Sequence, residues 1–364
     1  MFSHNNMISQ KQLRCMLMLA AFSGSIFVQP YLFANMFGTN MVIGIIVYIL
    51  MAALYIGLIF LSGGYEGTQQ FSKENKYEYK LLKIVYIVRY FIRLVFYITL
   101  GVKIIGEGQV PFVDKEAGNS FGNLMVLLPL LVVAFYGADR NVEKQGRINE
   151  MLFGTAFVPF VIMILFGFKE FELKALLHGG SMYPGIIIRC YALLTFVVPV
   201  EIYPQLRLNK DMEKISSMRT YIEVMSMIIL VAALSFVMAG IYGLNGMSNE
   251  PMAAVAIMRY IELPMGVLQR FDVLMVWFFM TGIFVMISGT LFGMRKQLLD
   301  LATEKMTALI LVIIVFAAAA TCMNLPSYEL TLDAFIVFGA FVDVPLSVMT
   351  MIKRWREKKN VQYD

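Results

Sequence analysis

The stretch that most constrains this chain is Tyr183 to Leu206, YPGIIIRCYALLTFVVPVEIYPQL. It is apolar over nearly the length a membrane-spanning helix needs, about 20 residues. It also carries Arg189 and Glu201, and Pro199 and Pro204 interrupt it. A proline lacks a backbone donor and its ring clashes with the carbonyl one turn back, so an unbroken α-helix is disfavoured. In hydrocarbon, backbone groups freed by such a break survive only where protein or a water-filled cavity satisfies them. The stretch therefore predicts one of two things: a broken helix lining a site, or a proline-kinked structural helix.

The rest of the chain fits a membrane setting. Of its 364 residues 59% are hydrophobic and 15% charged, and the mean hydropathy is +0.72, where a soluble domain carries about 25% charged residues. Apolar runs predict ten spans: Leu13–Met36, Asn40–Ser62, Leu81–Ile105, Phe121–Ala138, Ile148–Phe168, Pro184–Leu206, Tyr221–Tyr242, Leu268–Met294, Lys305–Met323 and Leu332–Ile352. They form a single transmembrane domain over 1–364, with five-helix halves at 13–168 and 184–352 and a basic tail at 353–364. The first run precedes a second full span, which marks it as a retained helix rather than a cleaved signal peptide. With both termini in the cytoplasm, about 21 Lys and Arg fall in cytoplasmic loops and about 6 outside, as the positive-inside rule requires. The net charge of +5 thus belongs to membrane topology, and nucleic acid is not an expected partner. Three scattered cysteines and two distant histidines give neither a disulfide framework nor metal-ligand spacing. No metal or cofactor is expected, and the clustered groups of an enzyme site are missing from the pattern.

The first span, LRCMLMLAAFSGSIFVQPYLF, has a similar interruption. Ser23-Gly24-Ser25 places small residues in a row and Pro30 follows. Glycine permits unusual backbone dihedrals, although small residues also let a neighbouring helix approach closely. Spans one and six each begin a five-helix half, and breaks at matching positions point to an inverted-repeat transporter fold with a midplane site. The opened backbone offers N–H groups to a carboxylate and carbonyls to an ammonium, so an amino acid is the natural ligand class.

Ionisable residues inside spans mark further candidates. Arg89 and Arg93 lie one turn apart on one face, with Tyr86, Tyr90 and Tyr97 nearby. Arg89 is expected to snorkel to the cytoplasmic surface, whereas the deeper Arg93 needs a partner inside the bundle. Glu201 is a candidate for that partner, as a structural pair or as a gating one. It lies past the bend toward the cytoplasm, which suits gating or coupling better than ligand contact. Asp343, beside Pro345, needs a polar partner or a cavity. In span eight, Thr281, Ser288 and Thr290 suit either the site or helix contacts. Outside the membrane, KEFELKALLHGGSMYPG predicts a short interfacial helix containing His178. After span seven, Met252, Val255, Ile257 and Ile261 predict a surface helix that covers the site.

Taken in order, these segments resemble the spore germination permeases, the B subunits of nutrient germinant receptors, within the amino acid–polyamine–organocation transporter superfamily. The resemblance covers nearly the whole chain. It rests on Ser23-Gly24-Ser25 with Pro30, on FVPFVIMILFGFKEFELKALLHGG, on TFVVPVEIYPQL and on QRFDVLMVWFFMTGIFVMISGTLFG, followed by a last span and a basic tail. It implies an all-α fold of ten helices as 5+5 inverted repeats, with helices 1 and 6 broken. It implies a nutrient sensor, for an amino acid or similar small ligand, that sits in the spore inner membrane or cell membrane and signals through A-type and C-type receptor subunits. The implied pocket comprises Ser23, Gly24, Ser25, Phe196, Val197, Val198, Pro199, Phe284 and Ser288, with Tyr97 added from span three. Glu201, Arg93 and Asp343 remain the gating or coupling candidates. The chain departs from the family where Ser23 and Ser25 replace glycines, where Pro199 precedes the acidic position, and where Pro204 follows it sooner than usual. An ion-coupled amino acid transporter is the alternative function.

Overall fold

The computed structural model describes residues 8–62, 76–107, 120–138, 142–167, 171–172, 185–201, 217–257, 271–325 and 327–361, and every regular element among them is helical. Helix α1 spans Gln10–Ile26. Its first turn is closed reciprocally: the Gln12 N–H donates to the Ser9 hydroxyl, and the Ser9 N–H donates to the Gln12 side chain, which satisfies donors a helix start otherwise leaves open. Helix α2, Gln29–Phe37, restarts the chain after a gap at Phe27–Val28.

This gap corrects the expected position of the first break. Ser23, Gly24 and Ser25 all remain helical. The Ser25 hydroxyl donates to the Ala21 carbonyl at 2.8 Å, a back-bond compatible with helix. The break is instead set by Pro30. Its ring meets the carbonyl four residues back, which is that of Ile26, where α1 ends.

After a 3-10 turn at Gly38–Asn40 come α3 (Met41–Ser62), α4 (Lys76–Glu107), α5 (Ser120–Gly137) and α6 (Val142–Gly167). Helix α7 is short, Ile186–Leu193, and gives way to 3-10 turns at Leu194–Phe196 and Val198–Glu201. There the Val197 N–H donates to Leu194 at 2.8 Å and the Val200 N–H to Val197 at 3.0 Å. Pro199, which has no N–H, sits in this tightened segment. The far end of the sixth predicted span, with Pro204, lies outside the described residues.

The remaining helices are α8 (Ser217–Tyr242), α9 (Leu244–Asn249), α10 (Ala253–Ile257), α11 (Phe271–Leu299), α12 (Glu304–Asn324) and α13 (Tyr328–Phe338). A π-helical turn at Gly339–Asp343 then leads into α14 (Val344–Val361). The helix expected after span seven takes the form of two short pieces, α9 and α10. Met252, Val255 and Ile257 are fully buried, and α10 packs among α2, α4, α8 and α11, so this segment belongs to the bundle rather than lying over it. Ile261 and the predicted interfacial helix with His178 are outside the described residues.

Five stretches among the described residues are long and apolar enough to cross a membrane: Gln29–Leu61, Met218–Tyr242, Phe278–Leu299, Glu304–Asn324 and Tyr328–Ile352. Their outward faces carry continuous apolar stripes. Ile46, Leu50, Leu54 and Leu58 recur every fourth residue on α3, and Met306, Leu309, Ile313 and Phe316 recur every third or fourth on α12, all exposed. Stripes of this length do not suit water and do suit lipid. The chain is a multi-pass membrane protein.

Inside, α1 is central. It packs against α6, α8 and α11, while α4 and α11 share the most extensive helix contact. Phe22 of α1 lies against Phe157 and Phe160 of α6, and Phe27 meets Phe279 of α11 edge-on at 5.4 Å.

Candidate functional site

Glu201, in the second break, belongs to a buried polar cluster. Arg89 Nη2 donates to Glu201 Oε2 at 2.6 Å, and Arg89 Nε donates to Asp343 Oδ1. One turn further along α4, Arg93 donates to Asp343 Oδ2 from Nη2 at 2.6 Å and from Nε at 3.1 Å. The Tyr86 hydroxyl donates to Glu201 Oε1 at 3.2 Å, and Thr350 lies within 3.4 Å of the same oxygen. The guanidinium of Arg89 sits 5.3 Å from the Tyr86 ring centre and that of Arg93 5.9 Å from Tyr90. All four ionic groups are less than 5% exposed. Two guanidiniums against two carboxylates make the cluster formally neutral, which is how charge persists at membrane depth.

Local structure explains why these groups meet. The i, i+4 spacing of Arg89 and Arg93 puts both on one face of α4. The π-helical turn ends at Asp343, and such turns re-aim side chains within an otherwise α-helical run. At its start, Gly339 packs so closely on Thr195 that a Cβ there would overlap the threonine side chain. Phe335, one turn earlier, stacks on Phe96 at 4.0 Å, with Phe196 5.8 Å away. Helix α13 with its π-helical turn, α4 and the second break are thus joined by an aromatic layer and by the charges beside it.

Beside the cluster is a cavity of about 60 Å³. Its walls come from five segments. Met16 and Ala20 belong to α1; Tyr90, Arg93 and Tyr97 to α4; Val198, Pro199 and Glu201 to the second break. Gln145 and Asn149 enter from α6, and Val285, Met286, Gly289 and Thr290 from α11.

Several sequence-derived candidates converge here. Tyr97, Val198, Pro199, Glu201 and Arg93 line the cavity, and Asp343 stands behind Arg93. Gly24 lies close by: a Cβ on it would sit 3.4 Å from Met286 Sδ and 3.9 Å from both the Phe196 carbonyl and the Tyr97 hydroxyl. Phe196 and Val197 are buried in the break. Ser25 is committed to Ala21, and Ser23 packs toward Gly282 of α11, as expected of a small-residue helix contact. Phe284 and Ser288 are buried beside Gly137 of α5 and are not among the cavity residues. The cavity takes the neighbouring face of α11 instead.

Two expectations about arginines need correction. Arg89 does not snorkel; it is buried and bridges Glu201 and Asp343, because both acceptors lie inside the bundle at its level. Arg93 is bound to Asp343, while the ion pair of Glu201 is with Arg89. Sequence reasoning singled out neither Gln145, which precedes the predicted fifth span at Ile148, nor Asn149, at that span's second residue. Their i, i+4 spacing was the signal, since it places both on one face of a helix that begins at Val142.

Ion pairs and hydrogen bonds tie down the ends of the broken segments. At its start, α1 is held to α6 by Lys11–Glu150 and to α8 by Arg14–Glu223, each at 2.7 Å. The hydrogen bond to the Glu150 carboxylate raises the Lys11 ammonium above its ordinary value. Arg189 of α7 donates to the Met36 carbonyl near the end of α2. Among the described residues no group of three or more His, Cys, Asp or Glu is placed to hold a metal ion, and Cys15, Cys190 and Cys322 are free and buried.

A search of curated proteins finds no match. The family model for spore germination proteins, the spore permeases, matches residues 8–327, from before α1 to the start of α13. That span covers both breaks and every cavity-lining residue, and the chain therefore belongs to the spore germination protein family.

Proposed function

We propose that this protein is the nutrient-sensing subunit of a germinant receptor. It binds a small nutrient, an amino acid, in the cavity between the two broken segments, and passes the resulting shift to A-type and C-type partner subunits. Its ten helices form two inverted five-helix repeats, with both termini on the cytoplasmic side as the Lys and Arg distribution requires. The observation that carries this reading is the cavity itself, which lies between α1, α4, α6, α11 and the second break, with Arg93 and Glu201 in its wall. A zwitterion there finds a guanidinium within reach of its carboxylate and acceptors within reach of its ammonium. Ligand shifts such a bundle only through unequal affinity for two arrangements. The neutral cluster of Arg89, Arg93, Glu201 and Asp343 joins α4, the second break and the last helix, and is the element whose rearrangement both states bias.

The test is substitution at Gly24. An alanine Cβ makes only ordinary contacts there, so Gly24→Ala retains nutrient-triggered germination. A tryptophan extends past Met286 and Tyr97, so Gly24→Trp abolishes the response while the protein remains in the membrane. A full response in Gly24→Trp spores would remove the cavity from consideration.

The alternative, an ion-coupled amino acid transporter, would use Glu201 or Asp343 as its coupling group. Both carboxylates are already held by arginines, which favours a latch over a proton relay. Gradient-driven uptake of labelled amino acids by the isolated chain in proteoliposomes would reverse that preference.

A further inference from the structure

Helix α6 contributes Gln145 and Asn149 to the polar part of the cavity wall. Gln145 and Asn149 are 0% and 2% exposed. Each spends its amide nitrogen locally: Gln145 Nε2 donates to the Ser288 hydroxyl at 3.1 Å, and Asn149 Nδ2 donates to the Gln145 carbonyl at 2.8 Å. Each leaves its amide oxygen buried without a hydrogen-bond partner. An unsatisfied buried acceptor costs about 1–3 kcal/mol. Two on adjacent turns of one helix, both in residues lining one cavity, form an acceptor pair awaiting a donor.

Resting on the nutrient-binding reading above, we infer that Gln145 and Asn149 are the specificity residues for the donor end of the ligand and receive its ammonium N–H groups. Arg93, in the α4 part of the wall, directs two N–H groups to Asp343, and a guanidinium carries five donors in all. The cavity thus carries guanidinium donors from Arg93 and uncharged acceptors from Gln145 and Asn149, beside a Glu201 carboxylate that Arg89 already holds, and the two kinds of group suit the two ends of a zwitterion. Size narrows the class further. At roughly 10–15 Å³ of this measure per water, a cavity of about 60 Å³ holds only a few water-sized groups. Glycine, alanine and serine, the smallest amino acids, are therefore the first probes of this cavity. A donor-free analogue of alanine, propionate, leaves both amide oxygens unpaired and is rejected.

The test measures binding of labelled glycine, L-alanine and L-serine to the full-length chain in phospholipid nanodiscs, with propionate and ethylamine as competitors. Wild type binds at least one of the amino acids, and propionate competes at least tenfold more weakly. Gln145→Leu and Asn149→Leu each weaken that binding at least tenfold and narrow the gap to propionate. Gln145→Glu, which keeps the shape and an acceptor to which Ser288 can donate, retains binding; it also separates loss of the acceptor from loss of fold. If wild type binds and both leucine variants bind equally well, the assignment of Gln145 and Asn149 is overturned and the nutrient-binding reading stands. If wild type binds none of the three amino acids, the nutrient-binding reading falls and takes this inference with it. Replacing Na+ and K+ by a large organic cation leaves wild-type binding unchanged. A loss on replacement that disappears in Gln145→Leu would assign the oxygens to an inorganic cation and overturn the inference.

Discussion

The two breaks differ in kind. The first is a two-residue gap, after which a full α-helix resumes at Gln29. Its gap residues, Phe27 and Val28, are buried and apolar, and Pro30 alone accounts for it. The second does not return to α-helix within the described residues. It runs in 3-10 turns through Glu201, which makes an ion pair and hydrogen bonds to α4 and α14. The comparison separates two jobs that one proline-interrupted pattern can serve. The first break redirects a central helix and keeps its small residues for packing. The second delivers backbone to the cavity and a carboxylate to the charge cluster. Only the second is coupled electrostatically to the rest of the bundle.

The largest expected effect comes from cutting that coupling at its shared acceptor. Asp343→Ala leaves Arg93 without its carboxylate and Arg89 with one in place of two. Losing one partner of a buried ion pair costs about 3–5 kcal/mol, so this variant shows the greatest fall in thermal unfolding midpoint in detergent. Glu201→Gln keeps the shape of the second break and removes one charge-assisted bond, at about 1.5–3 kcal/mol. Its melting loss is smaller, and nutrient response is lost along with the link between the break and Arg89. Equal melting curves for wild type and Glu201→Gln would show that the second break is no more coupled than the first.

Gly339→Ala comes next. The added Cβ overlaps Thr195, and overpacking of this sort costs about 1–3 kcal/mol. The same change at Gly282, beside the first break, meets Phe27 at 3.2 Å and Ser23 at 3.6 Å. The end of a phenylalanine ring can shift by a few tenths of an ångström, so Gly282→Ala costs about 1 kcal/mol or less on the scale of small-to-large changes. A larger loss at Gly282 than at Gly339 would reverse the ranking of the two breaks. The smallest effect belongs to Lys83–Asp300, a 2.6 Å pair at the edge of the bundle with Asp300 43% exposed. Exposed pairs contribute about 0–1 kcal/mol, and Lys83→Met is close to wild type in the same melting measurement.

Much of this arrangement was legible in the sequence. The apolar runs located the helices. Pro199 marked the second break, because a missing donor and a ring clash act locally. Arg93, Glu201 and Asp343 stood out as charges that hydrocarbon does not tolerate singly. What stayed hidden depends on three-dimensional pairing. The partner of Arg89 lies 254 residues away, and the π-helical turn that aims Asp343 leaves no periodic signature. Ser23, Gly24 and Ser25 looked like the break because small residues permit one, yet steric compulsion came from Pro30. Gln145 fell outside the predicted fifth span and Asn149 at its edge, because charged neighbours, Lys144 and Arg147, mask the helix face that begins there.

The central claim, that an amino acid binds in the cavity between α1 and the second break, is tested most directly by equilibrium binding of labelled L-alanine and glycine to purified wild type, Gly24→Ala and Gly24→Trp, with melting curves as the control. The account predicts saturable binding to wild type and Gly24→Ala, and none to a folded Gly24→Trp. Undiminished binding to Gly24→Trp would contradict it.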